Sequence, residues 1–436
     1  MRPVPRETAP PATFVGWLSV AQLISWGSVF YAFSMLLAPV EAEFGADRAD
    51  VSLAMSLALL AEGLVAYPVG RWIEAGHERA VMTGGSLLAG LGLLALSHAH
   101  HLPTYYAAWV LLGVAMSATL YTPAFAVVTR RFPESFRRQI ITITFLGGLA
   151  STVFIPLMAW LIATIGWRHM LWVMAACQLC LCAPIHGWLL RGAPRSLLER
   201  RREARRQAAA QPDRHLQPVD PFLADATVVF MRKQRTSYAQ ALRSPAFALV
   251  GVFQVLMMGV TVAIASHLVN LLLESGMHPA WAIALPAAMG AVQVVGRSLL
   301  FLFEHKANVH HVNRAIPALM PLGLLALLAA LVWFNGNPYV AFVFVALYGL
   351  GNGMLTIVKG TAVAQYVSQE HAASLNGALG LPTALGRAAA PWLLGALWTP
   401  AAGYTWGLWA LLAASLVAMA ALVAAQRLSR THGYHS

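Results

Sequence analysis

Four ionisable side chains stand in the middle of long apolar runs: Glu62, Arg297, Lys359 and Arg387. A charge in hydrocarbon is expensive, so each is a candidate site residue. Glu62 is the one acid among seventeen that lies neither near the end of such a run nor in a loop. A carboxyl group placed there can take up and release a proton, or it can be the fixed counter-charge of a neighbouring cation. Arg297 and Arg387 can each grip a carboxylate through two parallel hydrogen bonds. The alternative for either arginine is to pair with an acid or with backbone carbonyls and so hold helices together. Lys359 stands toward one end of its run, where snorkelling to the interface would serve it equally well.

The polar neighbours of these residues recur at helical spacing. Tyr348, Asn352, Thr356 and Lys359 form one stripe, Asn376, Thr383 and Arg387 another, and Gln293 and Arg297 share a face at i and i+4. Tyr31, Tyr121 and Asn352 are further candidates to touch a ligand, followed by Gln22, Trp26, Thr122, Gln254, His267 and Asn270. Each has a plainer role open to it: aromatic residues anchor helix ends at a membrane interface, and small polar side chains hydrogen-bond between helices.

Composition dictates the elements that must position them. Of 436 residues, 58% are apolar and only 11% are charged, against about 25% charged in globular domains. A soluble fold could not cover its surface with so few polar groups, and disorder is excluded for the same reason. The fold class is therefore all-α and membrane-integral, because a crossing helix needs about 20 apolar residues and the chain offers twelve such stretches. They run over 14–40, 50–73, 79–97, 103–128, 138–165, 167–190, 245–273, 279–303, 313–334, 338–362, 371–398 and 403–426. No charge falls between Thr8 and Val40 and no small-residue cleavage site follows, so the first stretch reads as a retained span rather than a signal peptide.

A net charge of +12 would point to nucleic acid in a soluble protein. Here its placement points elsewhere. With both termini cytoplasmic, the inner loops and tails hold 24 of the 29 basic residues, while the outer loops hold only Arg48 and Arg168. The basic segment 191–243 separates six spans from six, giving domains at 1–190 and 244–436. Its arginines can grip anionic headgroups or simply lie solvated and fix the topology.

The two halves repeat at a nearly constant offset: Gly113 matches Gly349, Pro156 matches Pro391, and Gly166-Trp167 matches Gly403-Tyr404. A repeat of six spans puts the halves in parallel. Twelve spans in two sixes, a basic central loop and the segment Gly70-Arg71-Trp72-Ile73-Glu74-Ala75-Gly76-His77-Glu78-Arg79 together resemble the major facilitator superfamily. The segment is similar to that superfamily's loop signature through Gly70, Arg71, Glu74, Gly76 and Arg79, with Glu74 where an Asp is usual and one residue missing before Gly76. Gly27 to Ser34, Pro39, Glu43-Phe44-Gly45 and Gly296-Arg297 resemble the monocarboxylate porter and oxalate/formate antiporter branch.

The resemblance implies two six-helix bundles around a central cavity lined by spans 1, 2, 4, 5, 7, 8, 10 and 11. All four embedded charges fall on those spans. A cavity with two or three cations and one acid suits a small organic anion held by Arg297 and Arg387, with Gln293, Asn352, Tyr31 and Tyr121 beside them, moved by alternating access across the cytoplasmic (inner) membrane. Glu62 is then the proton-coupling or charge-pair candidate. In the resembled porters an Asp stands where Gln293 does, which leaves proton symport and anion exchange both open. A proton-coupled drug exporter and a non-transporting sensor are the alternatives. Gly349-Leu350-Gly351-Asn352-Gly353 imitates a phosphate loop but lies inside a span. Cys177, Cys180 and Cys182 on span six, and the loop histidines His98, His100, His101, His305, His310 and His311, lack a metal-ligand pattern. No enzyme motif appears, so the expectation is a transporter without cofactor or metal, with protons as a possible coupling ion, the bilayer as partner, no nucleic acid, and a monomeric state.

Overall fold

The computed structural model describes residues 11–132, 135–192, 238–303, 309–334, 336–368 and 371–431. Most of the basic segment between the halves, and His305, lie outside the described residues. Helices follow all twelve apolar stretches. Spans one to four are Ala12–Phe44, Arg48–Glu74, Glu78–Ser97 and Leu102–Arg131. Spans five and six share the run Arg138–Leu189, interrupted at Gly166, whose φ of 80° and ψ of 163° no helix contains. Spans seven to ten are Pro245–Glu274, Pro279–Phe303, Val309–Val332 and Pro338–Tyr366. Span eleven is made of two pieces, Ala372–Ala378 and Gly380–Ala396, and span twelve is Thr405–Thr431. By length and composition ten helical runs among the described residues can cross a membrane, a count that merges spans five and six and omits the broken span eleven.

Local chemistry sets the helix ends. The Ser244 hydroxyl accepts the Phe247 N–H at 3.2 Å ahead of Pro245, and the Asn337 side chain accepts the Tyr339 N–H at 2.9 Å ahead of Pro338. Gly166 and Gly403, matched in the sequence repeat, both take positive φ, which a glycine adopts without steric cost.

Buried apolar side chains gather within each half: one cluster spans residues 241–425, and two others draw on residues 14–190 with Val262 and Ala388 joining from the second half. Each half also ties one indole to one glutamate. The Trp167 indole donates to Glu43 at 2.9 Å and the Trp398 indole to Glu274 at 2.7 Å, each pair 124 positions apart. At the other end of the first bundle, Glu78 is fully buried between Arg131 at 2.5 Å and Arg130 at 3.2 Å. At an offset of 235 positions, Asn313 donates to the Tyr366 hydroxyl at 2.9 Å and to Gln365. The acid held by two arginines in one half is replaced by an amide–phenol network in the other, which Gln426 links to Arg314.

The bundles meet along spans two and eleven and along spans five and eight. On the first seam Gly395 faces Ser52, the Trp392 N–H donates to the Ser56 hydroxyl at 3.1 Å, and Gly63 lies against Ala384. On the second, the Thr152 hydroxyl donates to the Ala287 carbonyl at 2.6 Å. One end is sealed further. Arg48 makes a two-bonded pair with Glu41, both contacts at 2.7 Å, reaches Glu274 on the opposite bundle, and stacks over the Trp398 ring at 4.5 Å. Toward the other end the helix faces continue through Tyr67 and Leu381, which are 73% and 57% exposed. The bundles therefore part at the end that carries the Gly70–Arg79 loop.

Candidate functional site

Where the bundles part, a cavity of about 280 Å³ reaches the middle of the molecule. Its lining comes from spans one, two, four, five, seven, eight, ten and eleven, the set the family resemblance implies. Tyr31, Glu62, Tyr121, Gln293, Arg297, Asn352 and Arg387 all border it, and so do Thr356 and Lys359. Candidates scattered over 357 positions of sequence are thus brought to one place.

Arg297 is buried to 8% exposure. Its Nε donates to the Gly353 carbonyl at 3.0 Å and its Nη1 to the Thr144 carbonyl of the opposite bundle. Gly148 makes that reach possible, because a Cβ there would sit 2.5 Å from Nη1. Among the described residues no carboxylate pairs with Arg297. Arg387 differs: its Nη2 lies 3.1 Å from Glu62 Oε2 across the seam between spans two and eleven. Lys359 borders the same cavity, half-buried and close enough for Glu62 and Arg387 to act on it electrostatically. Three cations and one acid leave positive charge uncompensated inside a low-dielectric cavity, a setting that attracts an anion.

Opposite these charges stands an aromatic wall built by spans one and four. Span one contains a π-helical turn, Trp26–Phe30, closed by the Tyr31 N–H on the Trp26 carbonyl at 3.0 Å. Such single-turn bulges frequently occur at functional sites. The turn is held by Ser28, whose hydroxyl donates to the Ile24 carbonyl at 2.7 Å and accepts from Gln178 at 2.8 Å, and Gln178 opens a second π-helical turn, Gln178–Cys182. The result brings Trp26, Phe30 and Tyr31 to the cavity. Trp26 packs on Tyr121 with ring centroids 4.8 Å apart, and Tyr121 stacks on Phe125 at 5.3 Å. Phe30 and Phe125 were not among the sequence candidates. The signal was present in the pairs Trp26/Phe30 and Tyr121/Phe125, each at i and i+4.

Four secondary candidates are not cavity residues. Gln22 donates to the Thr119 carbonyl at 2.5 Å, Gln254 to the Lys359 carbonyl at 3.1 Å, and Asn270 to the Ser34 carbonyl at 2.9 Å. His267 sits buried between the Tyr404 hydroxyl at 2.9 Å and the Pro391 carbonyl at 3.0 Å. All four satisfy buried backbone or phenol groups, which is what a polar side chain does inside packed helices. Asn376 does not border the cavity either. Cys182 is fully buried against span one, 3.7 Å from the Ala21 carbonyl, whereas Cys180 is exposed.

In the loop between spans two and three, Gly76 turns the chain at φ 96° and the Arg79 Nε donates to the Gly187 carbonyl at 2.7 Å. Arg71 and Glu74 are exposed, and a Cβ on Gly70 would meet open space. The buried charge of this loop is Glu78, which signature matching passes over.

The Major Facilitator Superfamily model matches residues 18–309. Over 187 residues the chain is 28% identical to mouse (Mus musculus) monocarboxylate transporter 11, an alignment that covers 40% of each protein. Among solved structures, the xylose transporter XylE from E. coli in an inward-open conformation is similar with a TM-score of 0.68, at 11% identity over 95% of each chain. A bacterial homologue of the human lysosomal transporter Spinster, inward-facing and occupied, is similar at 0.67 with 14% identity over 95% of this chain and 97% of that one. A peptide transporter in complex with sulfate gives 0.67 with 15% identity over 96% and 95%.

Proposed function

The chain belongs to the major facilitator superfamily, and on that premise we propose that it carries a small organic anion across the cytoplasmic membrane by alternating access. The observation that carries this reading is Arg297, a buried guanidinium that borders the cavity with no acid to neutralise it among the described residues. A carboxylate supplies the missing charge in the planar geometry that the guanidinium fits. Likeness to a monocarboxylate transporter over part of the chain supports the same substrate class. The excess of basic residues at the loop end where the bundles part supports a reading in which that end, and both termini, face the cytoplasm. The described conformation is then inward-open, and the protein works as a monomer.

Glu62 is the coupling group in this reading. Ionised, it holds Arg387; protonated, it releases that arginine to the substrate, so that a proton and an anion occupy the site together. This puts the proton site on span two, in place of the acid that Gln293 lacks on span eight. Uptake of labelled monocarboxylates into proteoliposomes tests the assignment. Arg297→Ala abolishes uptake, and Arg297→Lys keeps the charge but loses the paired bonds and most of the rate. Normal uptake by both variants rules out the site.

A further inference from the structure

The cations account for the anionic group of a substrate but not for the wall that faces them. Trp26, Phe30, Tyr121 and Phe125 form a continuous ring surface, with centroid distances of 5.0 Å for Trp26–Phe30, 4.8 Å for Trp26–Tyr121 and 5.3 Å for Tyr121–Phe125. All four border the cavity that holds Arg297. A small aliphatic acid would leave this surface unmatched, because its carboxylate is satisfied at the guanidinium and little of its body extends beyond. The wall is also locked in place. Trp26 and Phe30 lie in the π-helical turn pinned by Ser28 and Gln178, and the Tyr121 and Phe125 rings are nearly parallel, 12° apart.

Tyr121 connects the two regions. Its hydroxyl lies close enough to the Arg297 guanidinium to feel its charge, while its ring is the middle member of the stack. A molecule whose carboxylate sits on Arg297 therefore has its next atoms against Tyr121 and Trp26. On the span-seven side Met258, Val262 and Ala265 give an apolar surface. A cavity of about 280 Å³ stands at the lower edge of pockets that enclose small organic molecules, large enough for one ring and its carboxylate.

We propose that the transported anion is an aromatic monocarboxylate, its carboxylate on Arg297 and its ring stacked on Trp26 and Tyr121. The proposal rests on the organic-anion reading and adds a ring to it. Planar rings gain from offset or edge-to-face contact with aromatic side chains beyond what area alone provides. A saturated ring of the same size does not.

Benzoate and cyclohexanecarboxylate, matched in charge and nearly in volume, separate the two levels of the argument. Their affinities are measured by calorimetry on purified wild-type protein and on Trp26→Leu, Trp26→Phe, Tyr121→Leu and Arg297→Ala variants, with thermal unfolding as the check on folding. The expected result is benzoate bound about tenfold more tightly than the saturated acid. That ratio falls toward one in Trp26→Leu and Tyr121→Leu, persists in Trp26→Phe, and both acids are lost in Arg297→Ala. Equal affinities that still depend on Arg297 overturn the aromatic assignment and leave the anion site standing. Failure of both acids to bind, or binding indifferent to Arg297, overturns the anion reading and this proposal with it.

Discussion

Glu62 and Arg387 lie 3.1 Å apart across the seam between the two bundles, so one of the two cavity arginines is already neutralised while the other has no acid partner among the described residues. The arrangement has a counterpart in the repeat. Arg297 stands 235 positions after Glu62, on the second span of the other bundle, and likewise reaches across, to the Thr144 carbonyl. The same place in the two halves holds opposite charges. An anion entering the cavity meets Arg297 first as an open partner and Arg387 only in competition with Glu62.

Replacing Glu62 by Gln removes that competition. If Glu62 carries the coupling proton, as proposed, an imposed inward proton gradient raises anion uptake by wild-type proteoliposomes. The groups around it that share the cavity are Arg387 and Lys359 on spans eleven and ten, Arg297 on span eight, and the Tyr31 and Tyr121 phenols. In Glu62→Gln the uptake is expected to be insensitive to an imposed pH gradient, with counterflow exchange retained. Preserved pH dependence in the variant would place the proton site elsewhere.

Arg48 ties the sealed end together through Glu41 of its own bundle and Glu274 of the other. Arg48→Ala removes the cross-bundle ion pair and the stacking on Trp398 together. The expected outcome is a population shift toward the state open at that end, read as faster labelling of a cysteine placed at Ser52 or Ser56 by a membrane-impermeant maleimide. Unchanged labelling would mean that the helix seams hold the end shut without this ion pair.

Glu78 is fully buried between Arg130 and Arg131, whereas its counterpart Asn313 meets the Tyr366 phenol and the Gln365 amide. Glu78→Asn therefore puts the side chain of one half among the partners of the other. Two guanidiniums then face each other without the shared acid, at a cost of about 3 kcal/mol. Thermal unfolding in detergent should show the loss. Asn313→Asp, which puts an acid among neutral partners, should also destabilise.

Gly113 packs on the Ala58 backbone so closely that a methyl group would overlap its carbonyl, whereas a methyl at Gly84 meets open space. Gly113→Ala should lower stability by about 1–3 kcal/mol as span four is pushed from span two. Gly84→Ala, on an exposed helical position, should be neutral or slightly stabilising. A similar effect from both substitutions would show that the close approach at Gly113 is not a constraint.

Much of the architecture was legible because hydrocarbon leaves so few options: twelve apolar stretches became helices within a few residues of the expected ends. Arg297, Arg387 and Glu62 stood out for the same reason, since a charge inside such a stretch has few structural explanations. Neutral polar residues were harder to read. Gln22, Gln254 and Asn270 look like lining residues in sequence, but each caps a carbonyl of a neighbouring helix, and nothing in residue type distinguishes the two fates. Glu78 was passed over because it sits at a helix start, where an acid is expected to meet solvent rather than two arginines. The break of span eleven at Leu379 leaves no mark in hydropathy.

The π-helical turn at Trp26–Phe30 makes span one a helix with two angular registers. Each residue added to an α-helix advances the side chains by about 100°, so the extra residue rotates everything after Phe30 by roughly that amount relative to everything before Trp26. Deleting one residue within the turn would heal the hydrogen-bond ladder yet swing Phe33, Leu36 and Leu37, all fully buried, toward new neighbours. The segment that aims the aromatic wall thus also sets the phase of half a span. Loss of one residue there should harm folding more than substitution of any one of its side chains.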